Sequence, residues 1–237
     1  MQIAPIKAIN SEKKYNAKSP VFGKNSLDGR DYYSAKDKAV VAATTALGVG
    51  ATVAMLAKGA GYSLNPSKMF KNFKNSYLAK ARYEMKEVIT IGAGSCLGGL
   101  AGGYIIDKNK DNRRAKNREA LMHFGNISIP IITVGVLVDK VFEKSKPLVK
   151  AGAGLAGVVA GIYLANVIMN KLCNFFFQDS SNERGVKVTD LPAHLDDVVV
   201  AANYISDAKP VRLLGRVIPL ALMVAGNEVG THIAGEH

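Results

Sequence analysis

VITIGAGSCLGGLAGGYII, Val88 to Ile106, runs nineteen residues without a charge and carries Gly94, Gly98 and Gly102 at four-residue spacing, with Gly99 and Gly103 beside them. On a helix that spacing aligns the glycines in one stripe, where a second helix can approach almost to backbone contact. The length matches the roughly 20 apolar residues needed to cross a hydrocarbon core about 30 Å thick. A competing reading makes VITIG a strand leading into a glycine-rich phosphate turn. The dinucleotide fingerprint then requires a second strand ending in an acidic residue about 20 positions on. The residues after Ile106 are instead DKNKDNRRAKNREALM, polar and helix-prone, and the glycines continue through Gly102 and Gly103, where a phosphate loop has no use for them. The stretch therefore reads as a span with a packing face.

Three further charge-free runs resemble it. Ala39–Ala57 is built from small residues, with Ala42, Ala46, Gly50 and Ala54 on one stripe and Thr44, Gly48 and Thr52 on another. Its weak hydrophobicity leaves open a re-entrant or enclosed helix in place of a full span. Ala120–Val138 holds His123 as its single titratable group and Pro130, which frees a backbone carbonyl and kinks a helix in a way that spans tolerate. His123 falls in the first turns of that run and reads as an interfacial residue. Ala151–Asn170 repeats the small stripe through Ala153, Gly157, Gly161 and Ala165, and this smooth face is the expected mate for the glycines of the Val88–Ile106 span. A last run, VIPLALMVAGN before Glu228, is short for a crossing and reads as either a fifth span or a buried helix.

The 237 residues carry 31 Lys and Arg against 19 Asp and Glu, a net charge of +12 that favours an anionic partner. The basic residues flank the apolar runs, so anionic lipid headgroups are the expected partner and nucleic acid is not. Pro66 to Glu87 adds Met69, Phe70, Phe73, Tyr77 and Ala81 at helical spacing beside Lys68, Lys71, Lys74, Lys80 and Arg82. That is the pattern of an amphipathic helix lying at a membrane surface, and those five cations are the expected headgroup contacts. The alternative is a soluble helix whose aromatics enter a core. No breaker separates it from the span beyond.

The domain reading is a flexible polar tail over 1–37, a four-helix membrane domain over 38–178, and a C-terminal region over 179–237. That last region comprises an amphipathic helix, TDLPAHLDDVVVAANYIS, and the short apolar run. In the amphipathic helix His194, Asp196 and Asp197 form an acidic-histidine group, but consecutive carboxylates diverge around a helix and make a poor metal site. Cys96 and Cys173 form neither a disulfide framework nor a metal spacing. With no catalytic, metal or nucleotide signature, neither enzymatic activity nor a cofactor is expected.

The expected fold class is thus all-α: a multi-pass membrane protein, set in a bacterial plasma membrane, with four to five glycine- and alanine-rich helices. The expected role is structural or scaffolding, open to homo-oligomerisation through the small-residue stripes. A pore or small-solute transporter is the first alternative, and a soluble basic protein binding nucleic acid or nucleotide the second. Basic connectors between the first four runs leave orientation open. Five spans would put the C-terminal tail on the side opposite the N-terminal tail, and four would put both termini on one side.

Overall fold

The computed structural model describes residues 32–65, 67, 76–80, 83–177 and 215–235. The described residues form helices and no strand: α1 Ala35–Gly59, a single turn α2 Tyr77–Lys80, α3 Met85–Ile106, α4 Lys110–Gly135 extended by a π-helical turn Val136–Val141, α5 Pro147–Phe177 and α6 Ile218–Thr231. Four of these, α1, α3, α4 with its π-turn, and α5, are long and apolar enough to cross a membrane. At 14 residues α6 extends about 21 Å, well short of that. Most of the segment read as a tail, the Pro66–Arg82 stretch apart from Ser67 and 76–80, and the 189–206 helix lie outside the described residues.

Local chemistry sets the helix ends. Ser34 opens α1 with a capping box, its Oγ accepting from the Asp37 N–H at 3.2 Å while the Ser34 N–H donates to Asp37 Oδ2. At the other end the Tyr62 N–H donates to Ala57 O and the Gly61 N–H to Lys58 O. That closure needs a left-handed residue, which Gly61 supplies at φ 78°. The glycine-rich stretch is continuous helix, so the strand-and-phosphate-loop reading does not hold. The absence of a breaker before it does not hold either. Tyr83 and Glu84 are non-helical, and the Glu84 N–H donates to Glu87 at 3.2 Å to start α3 afresh.

The helices exceed the charge-free runs because flanking charged residues are themselves helical. The clearest case is Lys110–Glu119: what reads as a connector forms the first turns of α4. Asn109 caps that helix by accepting from the Asp111 N–H at 2.8 Å. Arg113 then reaches back to the last carbonyls of α3, donating to Tyr104 O at 2.9 Å and Asp107 O at 2.8 Å, a favourable placement for a cation at a helix C-terminus.

Packing orders the bundle around α3. Its Gly94 meets Gly48 and Thr52, its Gly98 meets Thr44 and Thr45, and its Gly102 meets Val41 and Thr44, so α1 runs antiparallel to it. Gly99 meets Gly226 and Gly103 meets Gly230, so α6 runs parallel to α3. On the remaining side Gly92 faces Ile127 of α4, and α5 packs antiparallel along the far side of α4. One buried cluster ties α1, α3, α4 and α6 together through Val49, Val88, Ile91, Ile127, Ile131 and Leu222. Two smaller ones join α4 to α5.

One sequence expectation is corrected by this arrangement, and one open alternative is decided. The small stripe of α5 does not dock on α3: Gly157 abuts Val134 and Gly161 abuts Pro130 of α4. Four-residue spacing shows that a face is smooth but not which neighbour it meets. The C-terminal residues past α6 lie at the same end of the bundle as Tyr33, Asp107 and Phe177, since Lys116 and Asn112 bond His232 and Ala234 there while Arg114 bonds Phe177. The described portions of both tails therefore share one end. Of the two alternatives left open by the sequence, the described bundle has the one with both termini on one side, because α6 runs parallel to α3.

Candidate functional site: glycine seams and a buried ionic network

The seams on α3 are built at backbone distance. A methyl placed on Gly98 would lie 2.5 Å from Thr44 O and 2.9 Å from Thr45 Cα, and one on Gly94 would lie 2.7 Å from Gly48 O. On Gly102 it would lie 2.8 Å from Val41 Cα, and on Gly99 it would overlap the Gly226 carbonyl. Backbone cannot step aside as a flexible side chain can. At Gly103 the nearest groups are Gly230 O and the Lys116 stem, both 2.8 Å from the added methyl. On α5, Ala153 and Ala165 are buried along with Gly157 and Gly161. Thr44 and Thr52 present a hydroxyl to this seam without leaving it unsatisfied, because each donates to its own helix at 2.9 Å, to Val41 O and Val49 O. Ser95 is the polar contact across the α3–α6 seam, donating to Leu222 O at 2.5 Å and accepting from the Gly226 N–H at 3.2 Å.

The face of Gly94, Gly98 and Gly102 is thus covered from within the chain by α1 and is not open to a second copy. On α1 the outward stripe contains Ala46 and Gly50, both exposed. Of the expected headgroup contacts, Lys80 is exposed, while Lys68, Lys71, Lys74 and Arg82 lie outside the described residues. Tyr77 is not on a lipid-facing stripe: it is buried, with its ring edge-on to Tyr62 at 5.5 Å, and burial pushes its phenol up to about 12.

Sequence reading missed a second feature, at the end of the bundle where α3 turns into α4. Lys116 is fully buried there. Its Nζ lies 3.7 Å from Asp107 Oδ2, donates to the Tyr33 hydroxyl at 2.7 Å and to His232 O, and sits 4.7 Å from the centre of the Tyr33 ring. Tyr33 in turn donates to Asp107 Oδ2, and Asn112 donates to the same oxygen at 2.8 Å while accepting from the Ala234 N–H at 3.0 Å. Burial pushes the Asp107 carboxyl up. Hydrogen bonds from Tyr33, the Asn109 N–H and Asn112, with the charge of Lys116, outweigh that and hold it below the usual carboxylate range. The Tyr33 phenol is raised, first by burial and then by Asp107, so it stays a neutral donor. Only the four-residue spacing of Asn112 and Lys116 on one face of α4, just after Asp107, could have signalled this network, and it is easily lost among five basic neighbours.

One α4 turn further in, His123 Nε2 lies 3.1 Å from Glu119 Oε1 and 3.3 Å from Glu228 Oε2, and His232 Nε2 lies 3.9 Å from the other Glu119 oxygen. His123 is therefore a contact between α4 and α6, where the sequence placed it at an interface with lipid headgroups. Among the described residues, no group of three or more His, Cys, Asp or Glu side chains is arranged to hold a metal ion.

No family model, no curated protein and no solved structure matches this chain. What it does has to be argued from its own residues.

Proposed function

We propose that the chain is a multi-pass integral membrane protein of structural or scaffolding type, a compact bundle that anionic headgroups hold at both ends. One observation carries this reading: large apolar side chains cover the outside of the long helices, while the seams between the helices are lined by small residues. On α5 the buried side is Ala153, Gly157, Gly161 and Ala165, while Leu155, Val159, Tyr163 and Phe175 are more than half exposed. Leu47 of α1, Leu97 of α3 and Leu220 of α6 extend the same belt. A water-soluble protein puts such residues in its core; in lipid, helices gain from tight small-residue contact and nothing is lost by facing Leu outward. Lys36, Lys38, Lys108, Lys110, Lys144, Lys146 and Lys150 gather at the helix ends, where phosphate headgroups would meet them.

The decisive experiment pairs alkaline carbonate extraction with Val159→Arg. Wild-type protein is expected to stay in the membrane pellet, and arginine at this mid-helix site is expected to impair insertion, at a cost of about 2.5–3.5 kcal/mol. On a water-facing surface the same substitution would change stability by no more than about 0.5 kcal/mol. A soluble wild type with a neutral V159R would return the basic soluble reading.

A pore or transporter is the second reading. Ionisable groups at mid-span are its usual mark; between the two ends of the described bundle these are His123 and Glu119, which pair with each other, while the fully buried polar side chains there are the hydroxyls of Thr45, Ser95 and Ser128. Reconstituted protein is expected to show no flux driven by a pH gradient. A saturable proton-coupled flux that Asp139→Asn abolishes would put transport first.

A further inference from the structure

We infer that Glu228, His123, Glu119 and His232 form a proton-binding latch that fastens α6 to α4, tightening when the surroundings turn acidic. The four side chains make one file in that order, two from each side: Glu228 from α6, His123 and Glu119 from α4, and His232 from just past the end of α6. Both carboxylates address the same nitrogen, His123 Nε2, at 3.1 and 3.3 Å. Both contacts are at ion-pair distance, so a protonated His123 ring would give each carboxylate a charged partner. With both imidazoles neutral the file holds two carboxylates converging on one ring nitrogen. A proton taken up by His123 turns that converging pair into a bridged set, and one taken up by His232 does the same for the far oxygen of Glu119. Among the described residues, the groups near the file include on α4 itself Lys116, which also holds Asp107 and Tyr33, and Arg118; from α3 Cys96 and from α5 Cys173 come within electrostatic range of Glu119.

The latch differs from a transport relay in where it stops. Toward the opposite end of the bundle the α3–α6 seam continues through Ser95 and Leu222, with no titratable side chain among its described contacts. It also differs from the Asp107–Lys116 pair, to which it is joined by one residue: the His232 backbone carbonyl accepts from Lys116 while the His232 ring faces Glu119. A proton bound at the file is thereby mechanically linked to the buried network that holds the end of the bundle shut. This inference rests on the packing of α6 against α4 and does not depend on whether the bundle is embedded in lipid.

The test is the melting temperature of the purified full chain in detergent at pH 5 and pH 8. Between those limits Asp107 stays ionised, since its carboxyl is held below the usual range, and Tyr33 stays neutral. The wild type is expected to melt about 3–5 °C higher at pH 5, the shift that a tenfold change in proton affinity gives a chain of this size. His123→Gln is expected to remove most of that difference, and His232→Gln a smaller part. A purely structural role would lower the melting point equally at both pH values. If His123→Gln does not fold, Glu228→Gln, at a residue whose side chain is 60% exposed, carries the test: it is expected to shrink the pH difference, and an undiminished difference would overturn the latch. So would a wild type that melts at the same temperature at both pH values, or a difference that survives in His123→Gln.

Discussion

Gly98→Leu is expected to lower the melting temperature in detergent by about 6–12 °C, whereas Leu97→Ala beside it should barely register. The added side chain would start from a Cβ 2.5 Å from Thr44 O and 2.9 Å from Thr45 Cα. Those are backbone atoms inside a regular helix, so the only relief is for α1 and α3 to move apart along the whole seam. Overpacking of a tight core costs roughly 1–3 kcal/mol and more where backbone must shift, and a chain of this size loses about 2–4 °C per kcal/mol. Leu97 is 67% exposed on the opposite face, so trimming it removes no protein contact. Leu100 would be a poor control, being partly buried against the central cluster. A melt in which L97A costs more than G98L would remove the seam from the account of stability.

Breaking the Asp107–Lys116 pair should be at least as damaging. Lys116→Ala leaves a carboxylate in a buried site and Asp107→Ala leaves a buried ammonium, and removing one member of such a pair costs about 3–5 kcal/mol. Replacing both, Asp107→Asn with Lys116→Met, is expected to cost clearly less than the sum of the singles, because neither uncompensated charge remains. Strict additivity would mean that the two groups do not depend on each other. The pH dependence has opposite signs at the two ends of the scale. The depressed Asp107 carboxyl contributes stability that is present above the ordinary carboxylate range and lost as pH falls through its lowered value. The raised Tyr33 phenol contributes stability present below its ordinary range and lost as pH rises through its raised value.

Helix identity was legible in the sequence, since nineteen charge-free residues such as Val88–Ile106 leave the backbone few ways to satisfy its own hydrogen bonds. Helix length was not, because charge marks where water or headgroups begin and not where hydrogen bonding stops; Lys110–Glu119 is as helical as the run it precedes. The positions of smooth faces were legible and their partners were not. A stripe of glycines fits any backbone of suitable curvature, and only the whole assembly decides that Gly98 meets Thr44 while Gly161 meets Pro130. Least legible was the buried network. Lys116 looks like any of its basic neighbours until Tyr33, from before α1, and His232, from beyond α6, arrive at its head.

The two-sided service of α3 has a consequence for the order in which the protein is made. Its Gly94–Gly98–Gly102 face is met by α1, which precedes it, and the pair can close as soon as α3 emerges. Its Gly99–Gly103 face is met by α6, which the ribosome completes about a hundred residues later, a wait on the order of ten seconds at ordinary synthesis rates. Through that interval the Ser95 hydroxyl and the Lys116 ammonium lack their partners in and just past α6, and α6 by itself is too short to hold a transmembrane position. The nascent bundle therefore passes through a stage with one finished seam and one open.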